Sequence, residues 1–274
     1  MSHNLLKGKK GIIFGALNEQ SLAWQTALKC HEEGAEIVLS NAPIALRMGE
    51  INKLAEAVNA PVIGADVTKM EDLNNLIDQT IAHFGGKIDF ILHSVGMSMN
   101  IRKGNPYTGL NHDMEMKTLD ISAISFHKVL QVAYEKDALN EWASVVALTY
   151  IAAQRVFPDY NEMADAKALL ESIARSFGYY YGIKNKVRVN TISQSPTRTT
   201  AGSGVKGFDG FINYAEAMSP LGNAPAEAFA NYCVSLFSDL TRYVTMQNLY
   251  HDGGYSSTGV SQPVVDKMAS EQAE

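Results

Sequence analysis

Short apolar runs alternate with longer stretches of helical periodicity along almost the whole chain. Residues 10–14, 36–40, 61–64, 88–93, 144–149, 187–192 and 245–250 are brief runs that read as strands. Between them, apolar side chains recur every three or four positions over 21–33, 44–58, 70–84, 113–135 and 159–181. The same spacing appears in shorter stretches at 208–217 and 225–238, and predicts helices throughout. Helices of this length between strands imply right-handed crossovers and a parallel sheet covered on both faces. The pattern thus predicts an α/β chain with a doubly wound, seven-stranded parallel sheet, folded as one domain over residues 1–274. No repeat, low-complexity tract or linker interrupts it. The polar tail, 260–274, reads as loosely held or used between subunits.

Composition narrows the picture. With 274 residues, 46% hydrophobic and 19% charged, the chain has enough apolar material for a sizeable core. A net charge of −6 argues against a nucleic-acid surface. Cys30 and Cys233 fall in separate predicted helices and read as buried free thiols. No Cys/His spacing suits a metal. The first ten residues have no long apolar stretch and no segment has the length of a membrane span, so a soluble cytoplasmic protein is expected.

The predicted architecture is Rossmann-like, the dinucleotide-binding form of the doubly wound sheet, and several strand ends suit it. Gly15 follows the first strand and Ser21 opens the first helix, where unpaired N–H groups suit a pyrophosphate. Only the first glycine of the usual fingerprint is kept, and an ordinary strand-to-helix turn explains the segment equally well. Asp66 and Val67 follow the third strand. Either they meet an adenine, or Asp66 caps the next helix. Ser94-Val95-Gly96 ends the fourth strand, where a glycine lets the chain pass close to a cofactor. Ser40-Asn41-Ala42-Pro43 ends the second strand without the acid that holds a ribose hydroxyl or the base that meets a 2′-phosphate. That favours NADH modestly and leaves NADPH open, with Arg47 within reach.

The most specific signal is Tyr150-x9-Tyr160-x6-Lys167. Asp159 is placed to cap a helix in which a step of seven returns nearly to the same face, about 10 Å along the axis. Tyr160 and Lys167 should therefore point the same way, with Tyr150 at the strand end before them. A phenol beside an ammonium should have a lowered pKa, which suits a reaction that builds negative charge on an oxygen.

These residues resemble the enoyl-acyl-carrier-protein reductases of bacterial fatty-acid synthesis, a divergent branch of the short-chain dehydrogenase/reductases. The likeness runs from Gly15 to Gly254 through Gly15-x5-Ser21-x-Ala23, Asp66-Val67, His93-Ser94-Val95-Gly96, Asp120-Ile121-Ser122, Leu148-Thr149-Tyr150, Pro158-x-Tyr160-Asn161-x-Met163-x3-Lys167-Ala168, Arg188-Val189-Asn190, Pro196-Thr197-Arg198-Thr199 and Asp252-Gly253-Gly254. Ordinary members of the superfamily use Tyr-x3-Lys, and Met163 stands where that tyrosine would be.

The resemblance implies hydride transfer to the β-carbon of a trans-2-enoyl thioester on acyl carrier protein. Tyr160 would stabilise the enolate oxygen and supply a proton, Lys167 would hold the nicotinamide ribose, and Tyr150 and Met97 would line the acyl pocket. It assigns cofactor contacts to Gly15, Ser21, Leu22, Asp66, Val67, Ser94, Val95, Gly96, Lys167, Pro196, Thr197 and Thr199. It implies a lid at about 196–220, with Gly202, Gly204, Gly207 and Gly210 as hinges and Lys206 facing the carrier protein, and it implies a homotetramer. The chain departs from the family pattern at Ser193-Gln194-Ser195, where small residues usually precede the proline, at Met97, where many relatives carry an aromatic residue, and at Asn41-Ala42.

Blander roles suit the remaining signals. His93 and His251 read as strand-end core histidines, Tyr179, Tyr180 and Tyr181 as packing, and Asp252-Gly253-Gly254 as a turn. Arg198 is left between a carboxylate and a phosphate partner. Two other functions compete. A carbonyl or alcohol reductase of the same fold needs Tyr-x3-Lys, and a silent dinucleotide sensor would be expected to lose the tyrosine or the lysine.

Overall fold

A computed structural model describes residues 2–47, 50–199 and 207–271. Its strands are β1 (Lys10–Phe14), β2 (Glu36–Asn41), β3 (Val62–Gly64), β4 (Ile88–His93), β5 (Leu139–Thr149), β6 (Arg188–Gln194) and β7 (Asn248–His251). Its helices are α1 (Leu22–Glu32), α2 (Pro43–Leu46), α3 (Glu50–Ala57), α4 (Met70–Phe84), α5 (Met99–Lys103), α6 (His112–Leu119), α7 (Ser125–Glu135), α8 (Glu162–Asn185), α9 (Phe208–Met218), α10 (Ala226–Phe237) and α11 (Gln262–Glu271).

The seven strands lie in the order β3-β2-β1-β4-β5-β6-β7, and every pair is parallel. The chain winds outward from β1 to β3, then crosses back to place β4 on the other side of β1. The point where the winding reverses, between β1 and β4, opens a crevice at the carboxyl ends of the strands.

Alternation along each strand feeds two cores. Ile12, Phe14, Val38 and Ile91 point to the face covered by α4, α7 and α8. Ile13, Ile37, Leu39, Phe90 and Leu92 point to the face covered by α1, α3 and α10. The sheet is thus sandwiched, as the apolar runs require.

Several boundaries differ from the sequence reading. The helix expected over 44–58 is two, α2 and α3, and Pro43 fixes the start of the first. Residues 48 and 49 lie outside the described residues. The helix expected over 113–135 is interrupted by a π turn, Asp120–Ile124, between α6 and α7. β5 begins at Leu139 rather than at residue 144, because a register shift against β4 and left-handed backbone at Trp142 carry a polar stretch into the ladder. β7 starts later than expected, after left-handed Tyr243 and Met246. Within the polar tail, residues 262–271 form α11, which packs on α9, and Ser261 accepts from the Val264 amide at 3.4 Å.

Candidate active site

The crevice is built first from backbone. Gly15 leaves β1 with φ of 92°, and its amide donates to Ser40 O at 3.0 Å. A Cβ there would lie 1.9 Å from Ser94 O, so only glycine lets the β1 turn cross the β4 turn. The Ser21 hydroxyl accepts from the Leu17 and Asn18 amides at 3.1 and 3.2 Å, folding the loop ahead of α1 and leaving the first amides of the helix without its cap. Leu22 begins α1 as a buried side chain. Asn41 is committed here too: its amide group donates to Ala16 O at 2.9 Å and its side-chain oxygen accepts from Ala42 N at 2.8 Å. The residue at the cofactor-choice position therefore holds the loop. Arg47 is exposed.

Asp66 does not cap α4, whose N-cap is Lys69. Its carboxylate accepts from the Thr68 hydroxyl at 2.7 Å and the Thr68 amide at 3.1 Å. Burial raises its pKa, but these bonds and the Lys69 ammonium at 3.7 Å more than offset that and hold it below the usual range. Val67 is buried in the core beneath β3.

β4 is followed by Ser94, Val95 and Gly96. A Cβ on Gly96 would stand 3.8 Å from Lys167 Nζ, 3.9 Å from Met163 Cε and 3.9 Å from Ser122 Oγ. The β4 end, the π turn and α8 therefore meet at one place. Ser122 accepts from Met97 N at 3.0 Å and donates to Met97 O at 3.2 Å, which fixes the backbone of Met97 from the π turn.

Lys167 is buried and donates to Leu148 O, the carbonyl two residues before Tyr150, at 2.8 Å. Burial lowers its pKa to about 8, with Glu171 opposing the shift. Tyr150 and Tyr160 face each other with ring centroids 5.2 Å apart. The route to this pairing is not the expected one. Asp159 and Asn161 have φ of 64° and 46°, so α8 does not begin until Glu162. Tyr160 therefore sits on the entry turn rather than on the helix face. The expected lowering of its pKa is also overturned: burial raises both phenols, because desolvation disfavours phenolate. Tyr160 is a neutral donor.

Sequence reasoning missed an aromatic wall. Phe157 lies 5.1 Å from Tyr150, 6.1 Å from Tyr255 and 6.3 Å from Phe211 between centroids, linking the tyrosine pair to α9. The aromatic residue just before Pro158 was the available signal. Buried Glu162 was missed as well; its Oε1 accepts from Ser98 at 2.6 Å and Thr118 at 2.9 Å, and no spacing announces it.

Beyond β6, Ser195 N donates to His251 O at 3.0 Å, Ser195 Oγ accepts from Ala224 N at 3.0 Å, and Thr197 Oγ1 donates to Ser195 O at 3.0 Å. Gln194 donates to Ala224 O at 2.9 Å and its carbonyl lies 2.6 Å from His251 Nδ1. Gln194 and Ser195, two of the departures, are thus hydrogen-bonded to His251 and Ala224 just ahead of Pro196, Thr197 and Thr199, whereas Ser193 Oγ is buried without a partner among the described residues. Arg198 pairs with Asp209 on α9, a carboxylate rather than a phosphate. Gly207 precedes α9 with φ of 71°, and Gly210 lies within α9. Gly202, Gly204 and Lys206 fall outside the described residues.

A family model described as "Enoyl-(Acyl carrier protein) reductase" matches residues 15–256. An enoyl-[acyl-carrier-protein] reductase [NADH] of Rhizobium meliloti is 32% identical over 268 residues, covering 97% of each chain. The FabI reductase [NADH] of Rickettsia bellii is 34% identical, covering 96% of this chain and all of its own. A FabI–NADH complex from Alistipes finegoldii is 66% identical with a TM-score of 0.94, over 95% of this chain and 92% of that one. The chain belongs to the enoyl-(acyl carrier protein) reductase family.

Proposed function

We propose that Tyr160 is the hydrogen-bond donor to the thioester oxygen in the NADH-dependent reduction of enoyl-acyl-carrier-protein, the reaction of fatty-acid biosynthesis that this chain carries out. The nucleotide end fits the cofactor: a cradle at Gly15 too close for any Cβ, an uncapped α1 start, and Gly96 beside the Lys167 ammonium. Gly15, Ser21, Leu22, Asp66, Val67, Ser94, Val95, Gly96, Lys167, Pro196, Thr197 and Thr199 form that end of the site. A bound NADH supplies a hydride, which reduces the β-carbon of the enoyl group.

The observation that carries the reading is the neutral phenol of Tyr160 packed at a tilt against Tyr150, with a buried ammonium at the β4 end. As charge builds on the thioester oxygen, a protonated phenol donates to it and stabilises it with little reorganisation. The Lys167 ammonium stands beside Gly96 and has protons beyond the one given to Leu148 O for ribose hydroxyls. Tyr150 and Phe157 exclude water from one side, and Met97 lines the other. The α9 segment covers the acyl chain, and the whole of 1–274 acts as one catalytic domain. Exposed Leu169, Tyr180 and Ile183 on α8 support association of subunits, for which we adopt a homotetramer. Among the described residues no helix is long and apolar enough to cross a membrane, which supports a cytoplasmic location.

The test is oxidation of NADH by the purified chain with crotonyl thioester, run beside NADPH and beside a ketone. Enoyl-dependent oxidation of NADH supports the reading. Turnover of the ketone with no enoyl reduction overturns it.

A further inference from the structure

We propose that Glu171 is the positioning residue of this site: one carboxylate ties both ends of the Tyr150 turn to α8 and β7 and places a negative charge one helical turn behind Lys167. The inference rests on the roles given above to Tyr150 and Lys167.

Glu171 is only 5% exposed, yet it is carried on the catalytic helix with no cation in hydrogen-bond contact among the described residues. Its Oε1 accepts from the Thr149 hydroxyl at 2.8 Å and from Asn248 Nδ2 at 3.1 Å. Its Oε2 accepts from Gln154 Nε2 at 3.2 Å. Thr149 is the last residue of β5 and Gln154 closes the short turn Ile151–Ala153. These two donors bracket Tyr150, so both ends of its turn are held by one group. Gln154 in turn accepts from the Tyr250 hydroxyl at 2.7 Å, which extends the clamp along β7.

The charge has its own consequence. Residues four apart on a helix share a face. Lys167 is buried, and burial moves it toward the neutral amine, to about 8. Glu171 is the group that pulls it back toward the ammonium. The other titratable groups around the pair do not supply that charge. His93, which feels the Lys167 charge, is held neutral by burial, and Tyr150 and Tyr160 are held neutral in the same way. On the far side, burial raises the Tyr250 pKa, and Glu171, the Arg155 cation and the Asp252 carboxylate act on it as well; Asp252 also acts on Tyr150, but Glu171 is the carboxylate that acts on Lys167. A site working near neutral pH with a lysine this close to titration needs that one carboxylate.

The test reads Lys167 directly. Its side-chain carbon resonance, assigned with Lys167→Arg in ¹³C-lysine chain without cofactor, is followed against pH in wild type, Glu171→Gln and Glu171→Asp. Crotonyl-thioester kinetics and NADH binding by fluorescence are measured over the same range. Glu171→Gln should move the Lys167 midpoint down by about one unit, since one unit reflects the loss of one nearby charge. The basic limb of kcat/KM should follow it. Glu171→Asp keeps the charge but draws back from Thr149, so its rate should fall with the midpoint in place. Thr149→Val should raise KM for the thioester several-fold without moving the limb. An unmoved midpoint in folded Glu171→Gln overturns the electrostatic role, and unaltered kinetics in Thr149→Val overturns the clamp. If Glu171→Gln does not fold, Glu171→Asp decides, because a midpoint displaced despite the retained carboxylate overturns the proposal. Inactive wild type would instead sink the reading of the site itself.

Discussion

Two cations are buried at opposite ends of the same sheet, and they have been treated very differently. Arg188 opens β6 at the amino edge. Its Nη1 donates to Leu236 O at 2.8 Å, Thr241 O at 3.1 Å and Thr241 Oγ1 at 2.9 Å, and its Nη2 donates to Trp142 O and Ser238 O at 3.4 and 3.2 Å. That guanidinium is spent on tying α10 and the turn after it to β5 and β6. Lys167, at the carboxyl edge, gives one proton to Leu148 O and stands against the open side of Gly96. A fork of donors suits the first task and a compact point charge with further protons suits the second. A buried charge whose two terminal nitrogens are both met by carbonyls holds the fold, while one with bonding capacity facing a crevice is available to substrate and cofactor.

The sharpest way to break this contrast is to remove each cation. Arg188→Ala leaves several buried carbonyls unsatisfied and should cost roughly 3–5 kcal/mol of unfolding free energy in urea melts, with activity per folded molecule nearly unchanged. Lys167→Met should do the reverse. It should lower kcat/KM about a hundredfold while stability, read by the same melts, holds within about 1 kcal/mol, since an apolar side chain suits that buried site. If both variants lost stability and activity alike, the two ends would not be specialised.

Smaller effects sharpen the picture at the crevice. His93 is buried beside Lys167, and burial first, then the Lys167 charge, lower its pKa to about 3. The unfolded chain takes this proton near the ordinary 6.5 of a free imidazole, whereas the folded chain waits until about 3. The stability His93 contributes is therefore complete above 6.5 and is lost as pH falls toward 3, with a slope near ~1.4 kcal/mol per pH unit. Urea melts between pH 7 and pH 4 should show that slope, and His93→Phe should flatten it. The smallest change expected is Asn41→Ala. Losing its bond to Ala16 O should cost about 1 kcal/mol and raise KM for NADH several-fold, seen in initial rates at varied NADH.

The sheet was legible because its strands are short apolar runs and its helices keep period; Gly15 and Gly96 could be placed from strand ends, and Lys167 from the period of its helix. The entry to α8 was not legible. Helical spacing through Met163 and Ala166 gave no warning that Asp159 and Asn161 turn left-handed and hold Tyr160 outside the helix. The phenol's electrostatics were misjudged for a related reason: spacing alone does not show that Tyr160 leaves the helix face, and burial is what shifts the phenol, upward. Contacts made across the fold, such as Gln194 with His251 or Glu162 with Ser98 and Thr118, join residues that no local pattern connects.

Steady-state kinetics of Tyr160→Phe with crotonyl thioester and NADH test the central claim most directly. The account predicts a loss of about a hundredfold or more in kcat with NADH affinity unchanged, because one donor to the developing charge is removed. A variant that kept kcat within about twofold of wild type would contradict it.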